Sequence, residues 1–304
     1  MHNPRVTIDG FFVVDKPSGV TSFAMVSLVR RLTGQRRVGH AGTLDPLATG
    51  VLPVAAGAAT RLIEYMDEDA KEYHATIRFA IETDTYDADG AVVRVHEGDI
   101  QLTEAALRRA LASFVGDIQQ RPPMYSAIKV AGQPLYKYAR QGIEAEPEPR
   151  RVRIDAIDLI RFDGAAANRA AIVVRCGKGT YIRSLAHDVG ATLGCGAYLE
   201  ALRRTRSGGF SIDQAHTPAQ LEQAAAEGSL DALLYAPDRA VERFPAAIFA
   251  TDHERDVCAG RDVVLGRSHP AEIARAYSLA GDFLGVLRKL PEGAWHPEKV
   301  LQRA

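Results

Sequence analysis

The stretch GHAGTLDPLATG, residues 39–50, limits local folding more than any other part of the chain. It holds three glycines and one proline within twelve residues, which disfavours a continuous helix or strand. Glycine also tolerates a close approach of backbone or ligand better than any other residue. The sequence therefore predicts a loop over residues 39–57, with short apolar pieces, in which backbone or ligand approaches closely.

Asp45 is the candidate reactive group of this loop, and it has two interpretations. Pro46 follows it, which pushes the Asp45 backbone toward extended conformations. Leu44 and Leu47 flank the pair, so the carboxylate can lie beside apolar surface. An Asp-Pro pair is a common helix start, with Asp as N-cap and Pro at the first helical position. A carboxylate can also be a nucleophile, although caps are far commoner at such an Asp, and the pattern alone leaves both interpretations open.

The rest of the chain predicts an α+β fold with a mixed sheet, because strands and helices alternate without a regular βαβ order. Residues 73–79 alternate apolar and polar side chains, which is typical of a half-buried strand. Other apolar runs predict further strands over residues 11–14, 92–95 (after an Asp89-Gly90 hairpin turn), 152–162 and 171–176. Helical spacing and capping residues predict helices from Thr21 or Ser22 to Gly34, from Thr103 to Gly116, after Thr180, and over residues 218–235.

Two changes of pattern predict the domain organisation. Residues 1–245 form one large domain, and short strands at residues 263–265, 273–277 and 283–290 predict a small β-rich domain over residues 246–304. Within the large domain, residues 121–153 form an excursion bounded by proline-rich ends.

The excursion carries the sequence signal for nucleic acid. The formal net charge is −1, which by itself does not indicate a nucleic-acid-binding protein. The charge is segregated, however, and the excursion interleaves aromatic with basic residues: Tyr125, Tyr136, Tyr138, Lys129, Lys137, Arg140, Arg150, Arg151 and Arg153. Aromatic rings stack on bases and cations bind phosphate, so this composition fits a single-stranded RNA loop. A solvated surface loop with tyrosines in the core explains it equally well.

Arg183 and Tyr73 are the other two candidates. If Thr180 caps a helix, Arg183 lies in its first turn, where a cation opposes the helix dipole. A nearby anion would remove that conflict, and Asp45 is a candidate partner for a two-pronged contact; an exposed, solvated arginine is the alternative. Tyr73 falls on the apolar face of its strand, which usually indicates core, although a tyrosine at a strand end can also stack on a base.

Several classes of protein are disfavoured. No apolar run is long enough to span a membrane and no signal-peptide core is present, so we expect a cytoplasmic protein. The three cysteines are widely spaced, which argues against a disulfide framework, and no zinc or nucleoside-triphosphate motif occurs. Ser126 and Lys129 match the S-x-x-K pattern of acyl-enzyme hydrolases, but the companion motifs are missing.

Together these segments resemble the TruB family of tRNA pseudouridine-55 synthases. The matching pieces are residues 14–19, 39–53, 71–73, 83–85 with Asp87 and Gly90, 123–127, and 178–183, in that order. Ala80 stands where the family usually has glycine, and the last sixty residues match less well. The resemblance implies a pseudouridine synthase fold with a mixed, largely antiparallel central sheet flanked by helices and loops. It also implies a small PUA-like RNA-binding domain at the C-terminus.

The resemblance also implies roles for individual residues. Asp45 would be the nucleophile, Tyr73 would stack on the uracil and help to move a proton, and Arg183 would pair with Asp45. His40 would fill the space left by the flipped base. Residues near the same site or in contact with substrate would be Lys16, Leu202, Tyr181, Tyr125, Lys129 and Arg151.

The implied substrate is uridine 55 in the TΨC stem-loop of tRNA. The base stays in the site during the reaction, so no cofactor or metal is implied. A monomer without an obligate protein partner is expected. The main alternative is a non-catalytic tRNA-binding or tRNA-folding protein that uses the same basic surfaces.

Overall fold

The structure is a computed structural model that describes residues 8–66, 70–98, 100, 102–126, 128–130, 133–135, 138, 143, 147–264 and 271–301. Its strands are β1 (Gly10–Lys16), β2 (Val38–His40), β3 (Thr49–Ala56), β4 (Lys71–Phe79), β5 (Ile81–Thr83), β6 (Val92–Val95), β7 (Gly116–Gln120), β8 (Lys129–Val130), β9 (Gln133–Pro134), β10 (Arg150–Asp163), β11 (Arg169–Cys176), β12 (Ala197–Ser207), β13 (Phe210–Ser211), β14 (Ala246–Phe249), β15 (Ile273–Ser278), β16 (Phe283–Lys289) and β17 (Trp295–Val300). Its α-helices are α1 (Ser22–Thr33), α2 (Ile63–Met66), α3 (Glu104–Ala112), α4 (Gly164–Ala167), α5 (Ile182–Thr192), α6 (Pro218–Ala226) and α7 (Thr251–Cys258). Short 3-10 helices cover Gly57–Leu62, Ile212–Gln214, Leu230–Leu233 and Pro237–Val241.

A nine-stranded central sheet organises the large part of the molecule. Seven strands run in the order β1-β3-β12-β4-β11-β10-β7, while β2 pairs with β3 and β13 with β12. The β3–β12 pair is parallel, and the other pairs of this sheet are antiparallel. The predicted α+β fold with a mixed, largely antiparallel central sheet is therefore confirmed.

The parallel β3–β12 pair depends on one glycine. Arg203 lies opposite Thr49 and Arg204 opposite Gly50 in this register. Gly50 has a φ of 100°, and a Cβ atom there would lie 2.2 Å from the Arg204 carbonyl oxygen. Only a residue without a side chain permits this approach, so the glycine sets how closely the two strands pack.

Strand β4 lies at the centre of the sheet and carries the predicted alternation. Its odd-numbered residues from Tyr73 to Phe79 are buried, and they form one apolar cluster with side chains of α1, α3 and α5. The predicted strand over residues 73–79 is confirmed. The hairpin at Asp89-Gly90 is also confirmed, because β5 and β6 pair antiparallel on either side of it.

Two of the predicted helix starts are confirmed. Thr21 is the N-cap of α1 and accepts a hydrogen bond from the Ala24 N–H (3.1 Å), and Gly34 ends that helix in the left-handed conformation. Thr103 caps α3 in the same way, accepting from the Ala106 N–H at 3.2 Å. Helix α3 ends earlier than predicted, at Ala112, and Gly116 instead begins β7.

The predicted cap at Thr180 is wrong, because Tyr181 occupies the N-cap position of α5. The Thr180 hydroxyl donates to the Gly177 carbonyl (3.2 Å), inside the preceding turn. Gln120 on β7 takes over the stabilisation of this helix start. Its side chain accepts from the Tyr181 N–H (2.7 Å) and donates to the Tyr181 carbonyl (2.8 Å).

The predicted helix over residues 218–235 is also wrong in its length. Helix α6 begins with Thr217 and Gln220 in a capping box and ends at Ala226. Gly228, with a φ of 72°, stops it, and a 3-10 helix over Leu230–Leu233 follows.

A separate four-stranded sheet, in the order β14-β15-β16-β17, forms the C-terminal part. The β-rich tail is therefore confirmed, while its boundary at residue 246 and its PUA-like character remain predictions. In the predicted strand over residues 263–265, Val263 forms a single bridge with Trp295, and residue 265 lies outside the described residues. None of the helices in the described part of the chain is long and apolar enough to cross a bilayer.

Candidate active site

Asp45 lies in the loop between β2 and β3 and does not cap a helix. No helix begins in residues 41–50, all of which the structure describes, and the Ala48 N–H donates to the Asp45 carbonyl (3.1 Å) in a turn. The helix-start interpretation of Asp45-Pro46 is therefore wrong. Leu44 is buried in the core below the loop, and the Asp45 side chain is 38% exposed. The carboxylate is thus partly exposed to solvent, while the residue before it packs in the apolar core.

Arg183 reaches this carboxylate from the first turn of α5. Its side chain is only 4% exposed, and Nε lies 2.9 Å from Asp45 Oδ2. Nε makes no aligned hydrogen bond, so charge attraction holds the pair. The expected two-pronged contact with Asp45 is wrong, because the other two guanidinium nitrogens are used elsewhere. Nη1 donates to the Thr85 carbonyl (3.2 Å) and Nη2 to the Tyr125 carbonyl (2.9 Å).

Asp87 is a second carboxylate at this guanidinium, and sequence reasoning did not single it out as a site residue. Its side chain is 6% exposed, and Oδ2 lies 3.4 Å from Arg183 Nη1. Thr85 and the Asp89 N–H donate to Oδ1 at 2.5 and 3.1 Å. Burial raises the pKa of Asp87, while the Thr85 hydrogen bond and the Arg183 charge oppose that rise. The sequence signal that could have indicated Asp87 is the Thr-Asp-Thr motif that precedes it, at residues 83–85.

Tyr73 lies directly opposite Arg204 in the β4–β12 register, on the buried face of the sheet. Tyr73 is 7% exposed and Arg204 is completely buried. Their side chains therefore lie next to each other inside the sheet. Burial raises the pKa of the Tyr73 phenol, the Arg204 charge lowers it, and Asp45 raises it further. Tyr73, Arg204 and Asp45 therefore share one electrostatic environment.

Arg204 is a further residue that sequence reasoning missed. Its Nε donates to the Val51 carbonyl (2.7 Å) and its Nη2 to the Gly42 carbonyl (2.9 Å). In the sequence it is one of three arginines in residues 203–206, a run that reads as an exposed basic patch. The signal that could have found it is the alternation along β12, which buries Leu202 and Arg204 on the same face.

Lys16, at the end of β1, is completely buried beneath the Asp45 loop. Its Nζ donates to the carbonyls of Pro17 (2.9 Å), Val20 (2.8 Å) and Pro46 (3.2 Å). Burial lowers the pKa of Lys16 to about 8, and the nearby Asp45 charge opposes this shift. The ammonium group therefore contacts the residue that directly follows Asp45.

The remaining predicted residues divide into two groups. Leu202 is buried beside Arg204, Tyr181 precedes Arg183 at the start of α5, His40 ends β2 half-buried, and Tyr125 contributes its carbonyl to Arg183. Arg151 belongs elsewhere: it lies on β10 with its side chain 73% exposed and pairs with Asp117 at 3.0 Å. The Lys129 side chain lies outside the described residues, as do Tyr136, Lys137 and Arg140. Ser126 is buried, and its predicted pairing with Lys129 is likewise not described.

This arrangement surrounds one partly open carboxylate with three cations and a phenol. A carboxylate in this setting can act as a nucleophile or as a base. The phenol can accept or donate a proton. Among the described residues no group of three or more His, Cys, Asp or Glu side chains is arranged to hold a metal ion.

The chain is similar to known pseudouridine synthases in sequence and in fold. The family model described as TruB family pseudouridylate synthase (N terminal domain) matches residues 30–182, and that of the tRNA pseudouridylate synthase B C-terminal domain matches residues 183–242. A tRNA pseudouridine synthase B of Dehalococcoides mccartyi is 40% identical over 296 residues, covering 97% of each chain. One of Saccharophagus degradans is 41% identical and covers 99% of this chain and 98% of the relative. A chain in the crystal structure of a Cbf5-Nop10-Gar1 complex superposes with a TM-score of 0.73 at 25% identity, covering 97% of this chain and 85% of that chain.

Proposed function

This chain belongs to the TruB family and is a tRNA pseudouridine synthase, and on that premise we propose that it isomerises uridine 55 in the TΨC loop of tRNA. We further propose that it acts in the cytoplasm as a monomer and that residues 246–304 form a PUA-like RNA-binding domain. The observation that supports a catalytic rather than a purely RNA-folding role is the Asp45–Arg183 pair. A protein that only bound tRNA would not need a partly exposed carboxylate held against a buried guanidinium.

The proposed reaction begins with extrusion of the target nucleotide. Uridine 55 is stacked inside a folded loop, and flipping a base out of its stack costs a few kcal/mol. His40, at the end of β2, fills the vacated space and offsets part of that cost. The extruded uracil then lies over the Asp45 loop, with the Tyr73 ring below it and Leu202 lining the same pocket.

Asp45 then assists cleavage of the bond between uracil N1 and ribose C1′. Its carboxylate adds to the sugar, adds to uracil C6, or supports a glycal-type elimination; all three routes use the same ionised group. The uracil turns within the site and C5 bonds to C1′. N1 gains a proton and C5 loses one, so the net reaction is an isomerisation that consumes no co-substrate. Tyr73 takes part in the proton transfer.

The test is direct mapping of pseudouridine in tRNA after incubation with the purified protein. Tritium release from tRNA labelled at uracil C5 gives the rate, because the C5 proton is lost only when the new bond forms there. Pseudouridine at position 55 alone is the expected result. Pseudouridine at other positions would overturn the proposed site, and tight tRNA binding without any release would favour the RNA-folding alternative.

A further inference from the structure

Arg204 is a buried charge for which the proposed reaction, as described above, has no role. Its side chain is completely buried and donates hydrogen bonds to the carbonyls of Val51 and Gly42. No ion pair to a carboxylate is found for it among the described residues. Burying a guanidinium without a counter-ion is costly, and apolar residues of similar volume are often neutral or stabilising replacements. The fold therefore keeps this arginine at an energetic disadvantage, which calls for a specific function.

Its first contribution is to the loop that carries Asp45. The two carbonyls that accept from Arg204 belong to Gly42 and Val51, one on each side of Asp45 in the chain. Gly42 has a φ of 74°, and a Cβ atom there would lie 3.3 Å from Arg204 Nη1. One planar guanidinium on β12 thus binds the chain on both sides of Asp45, at Gly42 in the loop and at Val51 in β3.

Its second contribution concerns the hydroxyl proton of Tyr73. Arg204 lies directly opposite Tyr73 in the β4–β12 register, and both are buried. A guanidinium has donors and no acceptor, so toward Arg204 the Tyr73 oxygen can only accept. The phenol proton therefore points away from Arg204. Asp45 is close enough to act on the Tyr73 charge, and it lies toward the opening where the uridine enters.

We propose that Arg204 is a positioning residue that holds the Asp45 loop in place and directs the Tyr73 hydroxyl proton toward the substrate. This inference rests on the proposed function, since it assigns a role within that reaction. Two other cations face the same loop: Lys16, which donates to the Pro46 carbonyl, and Arg183, which pairs with Asp45. Of these three cations, Arg204 is the one that lies directly opposite Tyr73 in the sheet.

A double-mutant cycle separates this role from a purely structural one. Single-turnover rates of tritium release are measured for wild type, Arg204→Lys, Tyr73→Phe and the double variant, together with tRNA affinity and thermal stability. Arg204→Lys is expected to slow wild type at least ~10-fold, because an ammonium cannot reproduce the planar set of donors that faces both carbonyls and Tyr73. In the Tyr73→Phe background the same change is expected to slow the reaction less than ~3-fold, since the hydroxyl it orients is gone.

Arg203→Lys is the matched control. Arg203 is the neighbouring residue on the other face of β12, where it pairs with Asp15 at 2.8 Å. It should change the rate by the same factor with or without the Tyr73 hydroxyl. Arg204→Gln, which keeps a side-chain N–H donor without the charge, takes the place of Arg204→Lys if the lysine variant does not fold.

An equal loss of rate in both Tyr73 backgrounds, or no loss in either, would overturn the role of Arg204 in directing the phenol proton. This outcome is distinct from failure of the proposed function. Tritium released from a uridine other than 55 would overturn the proposed target position. The double-mutant cycle would still test Arg204, because it compares rates at whichever uridine reacts.

Discussion

Arg183 joins three separate segments of the chain at one guanidinium: the Asp45 loop, the turn with Thr85 and Asp87, and Tyr125. Because each nitrogen has a different partner, a single ammonium group cannot reproduce the set. We expect Arg183→Lys to lower the single-turnover rate at least ~100-fold. Arg161→Lys, at an exposed arginine paired with Asp163 on β10, is the control and should leave the rate unchanged. Wild-type activity in Arg183→Lys would argue against a role for this pair.

Asp45→Asn isolates the charge of the carboxylate from its shape. The amide keeps the size of the side chain but loses its nucleophilic and basic character, so turnover should be abolished. Asp45 is a single, partly exposed group, and tRNA affinity should stay within ~3-fold of wild type because binding is spread over many phosphate contacts. Rapid-quench tritium release and filter binding measure the two quantities. Retained turnover in this variant would end the assignment of Asp45 as the reactive group.

Lys16 gives a pH dependence whose sign follows from its burial. Its pKa falls from 10.5 to about 8 on folding, so between these values the unfolded chain binds the proton and the folded chain does not. The free energy of unfolding therefore increases with pH in that window, by at most about 1.4 kcal/mol per pH unit from this group. The free energy of unfolding of wild type minus that of Lys16→Met, measured by urea unfolding, should increase from pH 8 to 10.

Below pH 7 Lys16 is protonated in both states, and the same difference should be constant. That plateau is the internal control for the titration. A difference that stays flat through pH 10 would contradict the lowered pKa.

The sequence could predict some of these residues and not others, for physical reasons. The helix-dipole argument predicted an anion near Arg183, and Asp45 Oδ2 lies 2.9 Å from its Nε. Tyr73 is both buried and at the site, so its two interpretations were not exclusive. The burial of Arg204 could be predicted from the alternation along β12. Its partners could not, because they are the backbone carbonyls of Gly42 and Val51, and a carbonyl is the same at every position in a sequence.

At the scale of elements, the contact of β3 with β12 depends on the absence of a side chain at Gly50. Gly50→Ala places a Cβ atom 2.2 Å from the Arg204 carbonyl oxygen, so the strands must separate. We expect a loss of more than about 3 kcal/mol in the free energy of unfolding. Gly19→Ala is the matched control: it also has a positive φ, of 81°, but nothing lies within 4 Å. It should cost only about 1–2 kcal/mol from backbone strain. Equal losses in the two variants would show that the close approach has no effect.

Local pattern predicted some single elements correctly, but the loop predicted over residues 39–57 is wrong over Thr49–Ala56, which form β3. It did not predict how the strands pair. The alternation of β4 and the caps at Thr21 and Thr103 depend on near neighbours in the chain, and they were predicted correctly. The parallel direction of β3 against β12 is not encoded in a period of two. The error at Thr180 has the same origin, because Gln120, distant in sequence, stabilises the backbone of Tyr181 instead.

Across the whole molecule, α2 joins the C-terminal sheet to the large part of the chain. The Tyr65 hydroxyl donates to Glu298 (2.9 Å), and Lys299 pairs with Glu64 (2.9 Å). Burial and the Glu298 carboxylate raise the pKa of Tyr65, so the phenol stays protonated as the donor. Val286 of β16 packs into the same apolar cluster as Tyr65. The C-terminal sheet is thus held by both polar and apolar contacts.

Tyr65→Phe tests this connection. The change leaves Glu298 with one donor fewer and should lower the free energy of unfolding by about 1–2 kcal/mol. Tyr235→Phe is the control, because that hydroxyl makes only a 3.4 Å contact to the Gln214 carbonyl. It should cost less than half as much in the same urea titration. A larger loss for Tyr235→Phe would place the stabilising polar contact outside the junction.

The hydrogen bonds from Arg204 to the Gly42 and Val51 carbonyls also determine when activity can first arise during protein synthesis. Ribosomes add about 5–20 residues per second, so Asp45 is made roughly 8 to 30 s before Arg204. Throughout that interval the nascent chain contains the Asp45 loop but not β12, the strand that holds it. A truncated product of interrupted translation would therefore lack an organised reaction centre, and only a chain synthesised past β12 could modify RNA.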